Sequence, residues 1–152
     1  PARFALVGNN DPGNPTCIPF DQLGKWQKEG NVEWWGWQDD VATVISMCHI
    51  VCLPSYREGL PKILLEAASC GRPLITTDVP GCREVVREGV NGYLVPAKDA
   101  GALKEALLKL INDEEKRLSM GEASREFAVN CFSNAIVNDG IYAVYQKAMG
   151  TS

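Results

Sequence analysis

Short continuous apolar runs, each ended by Gly or Pro, alternate along the chain with longer stretches whose apolar residues recur at helical spacing. The pattern predicts strands at residues 4–7, 32–35, 49–53, 73–76 and 92–95. It predicts helices at 20–29, 41–48, 61–70, 100–112, 114–130 and 134–149, with a helical turn at 83–86. Residues 9–19, "NNDPGNPTCIP", are dense in turn formers and read as a loop. Asp99 and Ser133 stand where N-caps are wanted. Strands alternating with helices imply an α/β fold, a parallel sheet with helices on both faces. Such sheets bind ligands outside the carboxyl ends of their strands. That directs attention to the loops after Val7, Leu53 and Thr76, and so to "PSYREGLP" and "TDVPGCRE".

Composition narrows the function classes. The 152 residues are 45% hydrophobic and 22% charged, an ordinary globular mixture and enough chain for one domain with a real core. The net charge is −4 and no basic run occurs, which argues against a nucleic-acid partner. No apolar run reaches transmembrane length. Cysteines fall at 17, 48, 52, 70, 82 and 131, none in a Cys-x-x-Cys pair, and His49 is the single histidine. A zinc site is therefore not expected, and the thiols read as reduced, structural groups of a cytoplasmic protein. The chain opens on Pro and runs at once into a strand-like segment, which reads as part of a longer protein.

The segment "REGLPKILLEAASCG", residues 57–71, places one carboxylate just ahead of a helix and a second inside it. Pro61 suits a first helical turn, where its missing N–H costs nothing, and Gly59 allows close approach to the backbone. The N–H groups of Lys62, Ile63 and Leu64 would then point outward at the positive end of a helix dipole, a setting suited to phosphate. Glu66 has Ile63, Leu64, Leu65, Ala67 and Ala68 around it, so it is expected to be buried and to need donors. An unpaired buried carboxylate costs on the order of several kcal/mol. Adjacent sugar hydroxyls would serve, and so would a salt bridge to Lys62; spacing leaves both open. Glu58 could bond neutral hydroxyls of whatever the phosphate carries, or pair with Arg57. The arrangement points to a sugar nucleotide: ribose at Glu66, diphosphate at the helix start, transferred sugar at Glu58.

Residues 53–99, "LPSYREGLPKILLEAASCGRPLITTDVPGCREVVREGVNGYLVPAKD", closely resemble the donor-binding domain of family 4 (group 1) retaining glycosyltransferases. Those enzymes have the GT-B architecture, two Rossmann-like domains with the active site between them. The resemblance extends loosely to "FALVG", to "VEWWGWQDDVATVISMCHIVCLPS" and to the last helices. It implies that residues 1–152 are one Rossmann-like nucleotide-sugar-binding domain, the C-terminal half of such an enzyme. The Glu-x7-Glu element is Glu58 and Glu66. By resemblance Glu66 holds the ribose hydroxyls. Glu58 stands at the reaction centre against the donor sugar, where positioning is a simpler role than base or nucleophile. Gly59, Leu60, Pro61, Lys62 and Ile63 border the sugar and diphosphate, and the loop at Trp35, Gly36 and Trp37 faces the base. Family members carry an Arg and a Lys ahead of the "FALVG" strand that neutralise the leaving diphosphate. The sequence starts after that point and lacks the acceptor-binding N-terminal domain, so it is expected to be inactive alone.

The resemblance further implies glycosyl transfer with retention from a nucleoside-diphosphate sugar, a UDP-sugar by likeness to enzymes of bacterial surface polysaccharide and lipopolysaccharide assembly. The acceptor is a carbohydrate or a lipid-linked one, held by the other domain at the inner face of the membrane. No metal and no separate cofactor is expected, since no Asp-x-Asp motif occurs. The rival readings are a sugar-nucleotide epimerase and a non-catalytic Rossmann-like binding module, the latter favoured if Glu66 is paired internally. A dinucleotide-binding dehydrogenase is disfavoured, because no Gly-x-Gly-x-x-Gly follows the first strand. His49 reads as structural rather than catalytic. Asp78 and Gly81 either approach the ligand or form a turn and the cap of the following helix. Arg57 could reach phosphate, Arg83 and Glu84 could pair, and Tyr142 and Tyr145 read as packing, while the resemblance implies a last helix that crosses back to the other domain and so an exposed apolar patch on it.

Overall fold

Five short strands, all paired in parallel, and seven helices alternate along the computed structural model, in which residues 2–11, 13–14, 17–30 and 32–150 are described. They fall into two compact units, one ending at Val44 and one beginning at Ile45.

The first unit holds β1 (Ala5–Val7), α1 (Phe20–Lys28), β2 (Glu33–Gly36) and the start of α2 (Val41–Ser46). β1 and β2 form a two-stranded parallel sheet, Ala5 opposite Glu33 and Leu6 opposite Trp34. Ala5 and Val7 of this strand are exposed, although a continuous apolar run of this kind is read as a buried strand. Within this unit α1 packs on β2, where Phe20 meets Trp34 with ring centroids 5.4 Å apart. Asp40 caps α2: its carboxylate accepts from the Thr43 N–H at 3.0 Å and the Thr43 hydroxyl at 2.6 Å. Those two bonds hold its pKa below the usual carboxylate range.

In the second unit β3 (Val51–Leu53), β4 (Leu74–Thr77) and β5 (Gly92–Val95) form a parallel sheet in chain order, with α3 (Lys62–Ser69) and α4 (Pro80–Arg83) as connections. α5 (Ala100–Ile111), α6 (Glu114–Phe132) and α7 (Asn134–Ala148) follow. β4 is central and buried along its whole length, as a strand with a neighbour on each side should be. Ile75, Tyr93 and Val95 pack with Ala106 and Leu110 of α5 and Met120 of α6 to make the core. Asp99 caps α5 as expected, accepting from the Ala102 N–H at 2.9 Å. Ser133 occupies the cap position of α7 without a side-chain bond. α7 buries no residue, and Tyr142 and Tyr145, expected to pack, are exposed. Its main neighbour among the described elements is α6. The six cysteines are free thiols.

Candidate functional site

Three loops leave the carboxyl edge of the β3–β4–β5 sheet, and the sequence-predicted residues gather on the first. Pro54 ends β3, and the chain runs through Tyr56, Arg57, Glu58 and Gly59 to Pro61, the N-cap residue of α3. The helix starts one residue later than expected and carries no side-chain cap. Its opening amides are also fewer than predicted. Leu64 N–H donates to the Pro61 carbonyl at 3.0 Å, which leaves Lys62 and Ile63 with N–H groups outside the helical ladder.

Glu66 corrects the expectation of a buried carboxylate. Leu64, Ala67 and Ala68, spaced i, i+3, i+4, form the buried face of α3, and Lys62, Glu66 and Ser69 fall on the other. The Glu66 side chain is 35% exposed and lies 3.3 Å from Lys62 Nζ, a residue whose own side chain is 87% exposed. The salt bridge that the spacing had left open is therefore present, on the surface and not internally. An exposed i, i+4 pair with Lys first contributes only about 0.2–0.5 kcal/mol, so a ligand hydroxyl displaces it at little cost.

Glu58 is half-buried and, among the described residues, pairs with no cation, Arg57 included. Its loop is held by the next one. A Cβ at Gly81 would lie 1.7 Å from the Gly59 carbonyl oxygen and 2.6 Å from that of Glu58, so only glycine fits there. The close approach foreseen at this loop thus belongs to Gly81 and joins loop to loop. Around Gly59 itself, its chain neighbours aside, no atom of the described residues comes within 4 Å of where a side chain would begin. Thr76 and Thr77 complete the attachment. Thr76 Oγ1 donates to the Leu53 carbonyl at 2.8 Å and lies 3.0 Å from Cys82 Sγ, and the Thr77 hydroxyl donates to the Ser55 carbonyl. Sequence reasoning missed this pair; the available signal was two hydroxyls ending a buried strand. Burial pushes the Cys82 thiol up, opposed by the Thr76 hydroxyl and reinforced by the nearby charge of Glu58.

α4 begins three residues earlier than the expected turn, with Pro80 in its first turn and Val79 as cap residue. Asp78 is therefore not the cap. It receives the Arg83 Nε–H at 2.5 Å, so Arg83 pairs with Asp78 and not with Glu84.

Trp35, Gly36 and Trp37 belong to the first unit. Gly36 adopts φ +65°, and the Trp37 N–H that follows donates to Asn9 Oδ1 at 3.1 Å. Trp35 Nε1 donates to Glu33 and Trp37 Nε1 to Asp39, at 3.2 and 2.8 Å. The Trp37 ring stays exposed.

A cavity of about 510 Å³ lies at the opposite, amino edge of the second unit's sheet, between His49 and Gly71–Pro73 on one side and Arg117, Leu118 and Arg125 of α6 on the other. His49 is there, away from Glu58. Each arginine lining it donates to a backbone carbonyl: Arg117 Nη1 to those of Leu110 and Ile111 at 2.7 and 2.9 Å, Arg125 to that of Ser69, and Arg72 Nη2 to that of Ser46, while Arg72 Nε is buried without a partner among the described residues.

An open helix start after β3, with one Glu before it and a second inside the helix, seven residues between them, is the arrangement expected of a group 1 transferase, and residues 19–127 match the family described as "Glycosyl transferases group 1". The chain belongs to that family. It is 33% identical over 135 residues to the N,N'-diacetylbacillosaminyl-diphospho-undecaprenol alpha-1,3-N-acetylgalactosaminyltransferase of Campylobacter jejuni, covering 89% of this chain and 35% of that protein. It is 32% identical over 148 residues to the N-acetyl-alpha-D-glucosaminyl L-malate synthase of Bacillus anthracis, covering 97% and 38%. Among solved structures, Anabaena Alr3699/HepE in complex with UDP shares the fold, with TM-score 0.87, 23% identity and coverage of 95% of this chain and 41% of that one. The chain thus spans 35 to 41% of the length of these relatives.

Proposed function

We propose that the chain is the donor-binding part of a retaining glycosyltransferase that moves a sugar from a nucleoside-diphosphate sugar to an acceptor hydroxyl, in the assembly of a bacterial surface polysaccharide or lipopolysaccharide. The observation that carries this is the second unit's carboxyl edge. There an uncapped helix start is flanked by Glu58, which has no cationic partner, and by Glu66, whose partner is easily exchanged. The diphosphate lies against the Lys62 and Ile63 amides, where the helix dipole favours negative charge. Glu66 accepts from the ribose hydroxyls. Glu58, set back on the loop, accepts from hydroxyls of the transferred sugar and positions it, while Gly59 and Leu60 border the same sugar. Charge on the leaving diphosphate is met by amides and cationic side chains, and no metal has a part in this scheme. Trp35–Trp37 are assigned to the base on family resemblance.

A neighbour of the same fold is solved with UDP, which makes UDP the first nucleotide to try. The Campylobacter relative's name specifies a diphospho-undecaprenol, which favours a lipid-linked acceptor and work at the inner membrane face. No helix among the described residues is long and apolar enough to cross a membrane.

The test is a titration with UDP followed by backbone amide NMR shifts, beside a Glu66→Ala variant. Shifts centred on residues 59–64, with affinity about tenfold weaker in the variant, are expected for the loss of charge-assisted bonds to two hydroxyls. Shifts elsewhere, or binding indifferent to Glu66, would sink the reading.

A further inference from the structure

Lys98 is the single non-glycine residue with positive φ among the described residues, at +65°. It is the third residue of a turn closed by the Asp99 N–H donating to the Pro96 carbonyl at 3.3 Å. Positive φ at that position alone is the type II pattern, which calls for glycine or asparagine. A lysine there is strained, and strain kept in a loop at a ligand-binding edge points to a use for the side chain.

The side chain is directed across the sheet edge. Lys98 Nζ lies 5.5 Å from the centroid of the Tyr56 ring, so the loop after β5 reaches over to the loop after β3. Tyr56 is 65% exposed and stands two residues before Glu58. Arg57, between them, is exposed as well. Neither Arg57 nor Lys98 comes within 4.0 Å of a carboxylate among the described residues, although acidic residues outnumber basic ones by 19 to 15. Arg83, a third cation on this edge, is by contrast already joined to Asp78.

We propose that Lys98, steadied on the Tyr56 ring, and Arg57 form an anion-binding rim beside Glu58 that takes the phosphate oxygens of a substrate. The rim deepens the reading given under "Proposed function" and rests on it for the identity of that substrate. The shared chemistry is a diphosphate, and it has two sources: the donor's own, or one carried by the acceptor. The turn keeps a lysine where glycine would sit more easily because the ammonium is needed at that edge.

The experiment is calorimetric titration of the chain with inorganic pyrophosphate and with UDP, for the unaltered protein and for Lys98→Gly, Lys98→Met and Lys98→Arg, with a thermal melt of each. Lys98→Gly should melt no lower than the parent, since glycine relieves the turn. Both Lys98→Gly and Lys98→Met should weaken pyrophosphate about tenfold, and Lys98→Arg should stay within about twofold. Pyrophosphate affinity unchanged in both the Gly and Met variants would overturn the rim, as would a parent chain that takes up no pyrophosphate. A latch with only a structural role would change the melt and leave binding alone. Competition assigns the source: pyrophosphate displaced by UDP marks the donor's diphosphate, and pyrophosphate bound beside UDP marks the acceptor's. UDP binding that depends on Glu66 but not on Lys98 defeats this proposal alone. Lys98-dependent pyrophosphate binding without any UDP binding defeats the donor assignment alone.

Discussion

The two edges of the β3–β4–β5 sheet hold similar numbers of charged side chains and use them in opposite ways. At the amino edge, Arg72, Arg117 and Arg125 donate to backbone carbonyls, two of them to carbonyls at the ends of α5 and α3. These donors tie helix ends and loops together, while Arg72 Nε and the carboxylates of Glu114, Glu122 and Glu126 around the cavity make no ion pair among the described residues. At the carboxyl edge the attachment of loop to loop is made by small and neutral groups, Gly81, Thr76 and Thr77. Charged side chains and helix amides are thereby left over: Glu58, Arg57, Lys98 and the N–H groups of Lys62 and Ile63. A cavity's volume says where there is room. Which polar groups remain uncommitted, and of what kind, says what chemistry can occur, and open helix amides beside an unpaired carboxylate occur at the carboxyl edge.

The largest effect is expected from Gly81→Ala. The added carbon would meet the Gly59 carbonyl oxygen at 1.7 Å, backbone against backbone, with no flexible side chain to give way. Overpacking of this kind costs about 3 kcal/mol, and relief can come only by displacing the Glu58–Gly59 loop. Chemical denaturation and UDP titration should therefore both be affected. A variant as stable as the parent that binds UDP equally well would show that the two loops are not coupled through this contact.

The matching change at the amino edge is Arg117→Ala. It removes two charge-assisted bonds to the last carbonyls of α5, at 2.7 and 2.9 Å from a half-buried guanidinium. A loss of about 2 kcal/mol is expected, the usual worth of such bonds. UDP affinity should not move. If instead binding fell with stability unchanged, the comparison of edges would be reversed and the cavity would become the site to study.

Much of the scaffold was legible because its signals are local. The turn residues around 92–95 bounded β5 correctly, and an Asp three residues before an amide in need of a partner marked the start of α5. The position of Glu58 at a carboxyl edge followed from the alternation of strands and helices. What was not legible depends on surroundings. Counting apolar neighbours made α3 look buried all round, whereas it has a buried face and an outer one, and Glu66 is on the latter. The apolar stripe of α7 was visible, but a stripe does not say what covers it: Tyr142 and Tyr145 are exposed, against the reading that they pack and in line with the apolar patch expected on that helix. Pro80 was the better marker of α4 than the charged residues after it. The strain at Lys98 has no sequence signature, since nothing in "VPAKD" announces a positive φ.

Asp78 and Arg83 supply the smallest effect and the control for the rest. Arg83 is a carboxyl-edge cation that is already paired, so Arg83→Gln should leave pyrophosphate binding unchanged where Lys98→Met weakens it. The pair also titrates. The hydrogen bond from Arg83, with its charge, holds the Asp78 carboxyl below the ordinary range. A carboxylate whose pKa is lower folded than unfolded contributes stability that is complete above the unfolded value, about 3.9, and that is lost as pH falls through the folded one. Both side chains are exposed and screened by solvent, so the contribution at neutral pH is about 0.5 kcal/mol or less. Glu33 and Asp40, in the other unit, are shifted in the same direction, so the acid sensitivity of the parent alone does not isolate Asp78. The difference between the parent and Asp78→Asn does. It should be constant from neutrality down to about pH 4 and shrink below that, and added salt should reduce it. A difference that grows on acidification would mean that Asp78 is stabilised in its protonated form, and Arg83 would then be as free for an anion as Arg57 and Lys98.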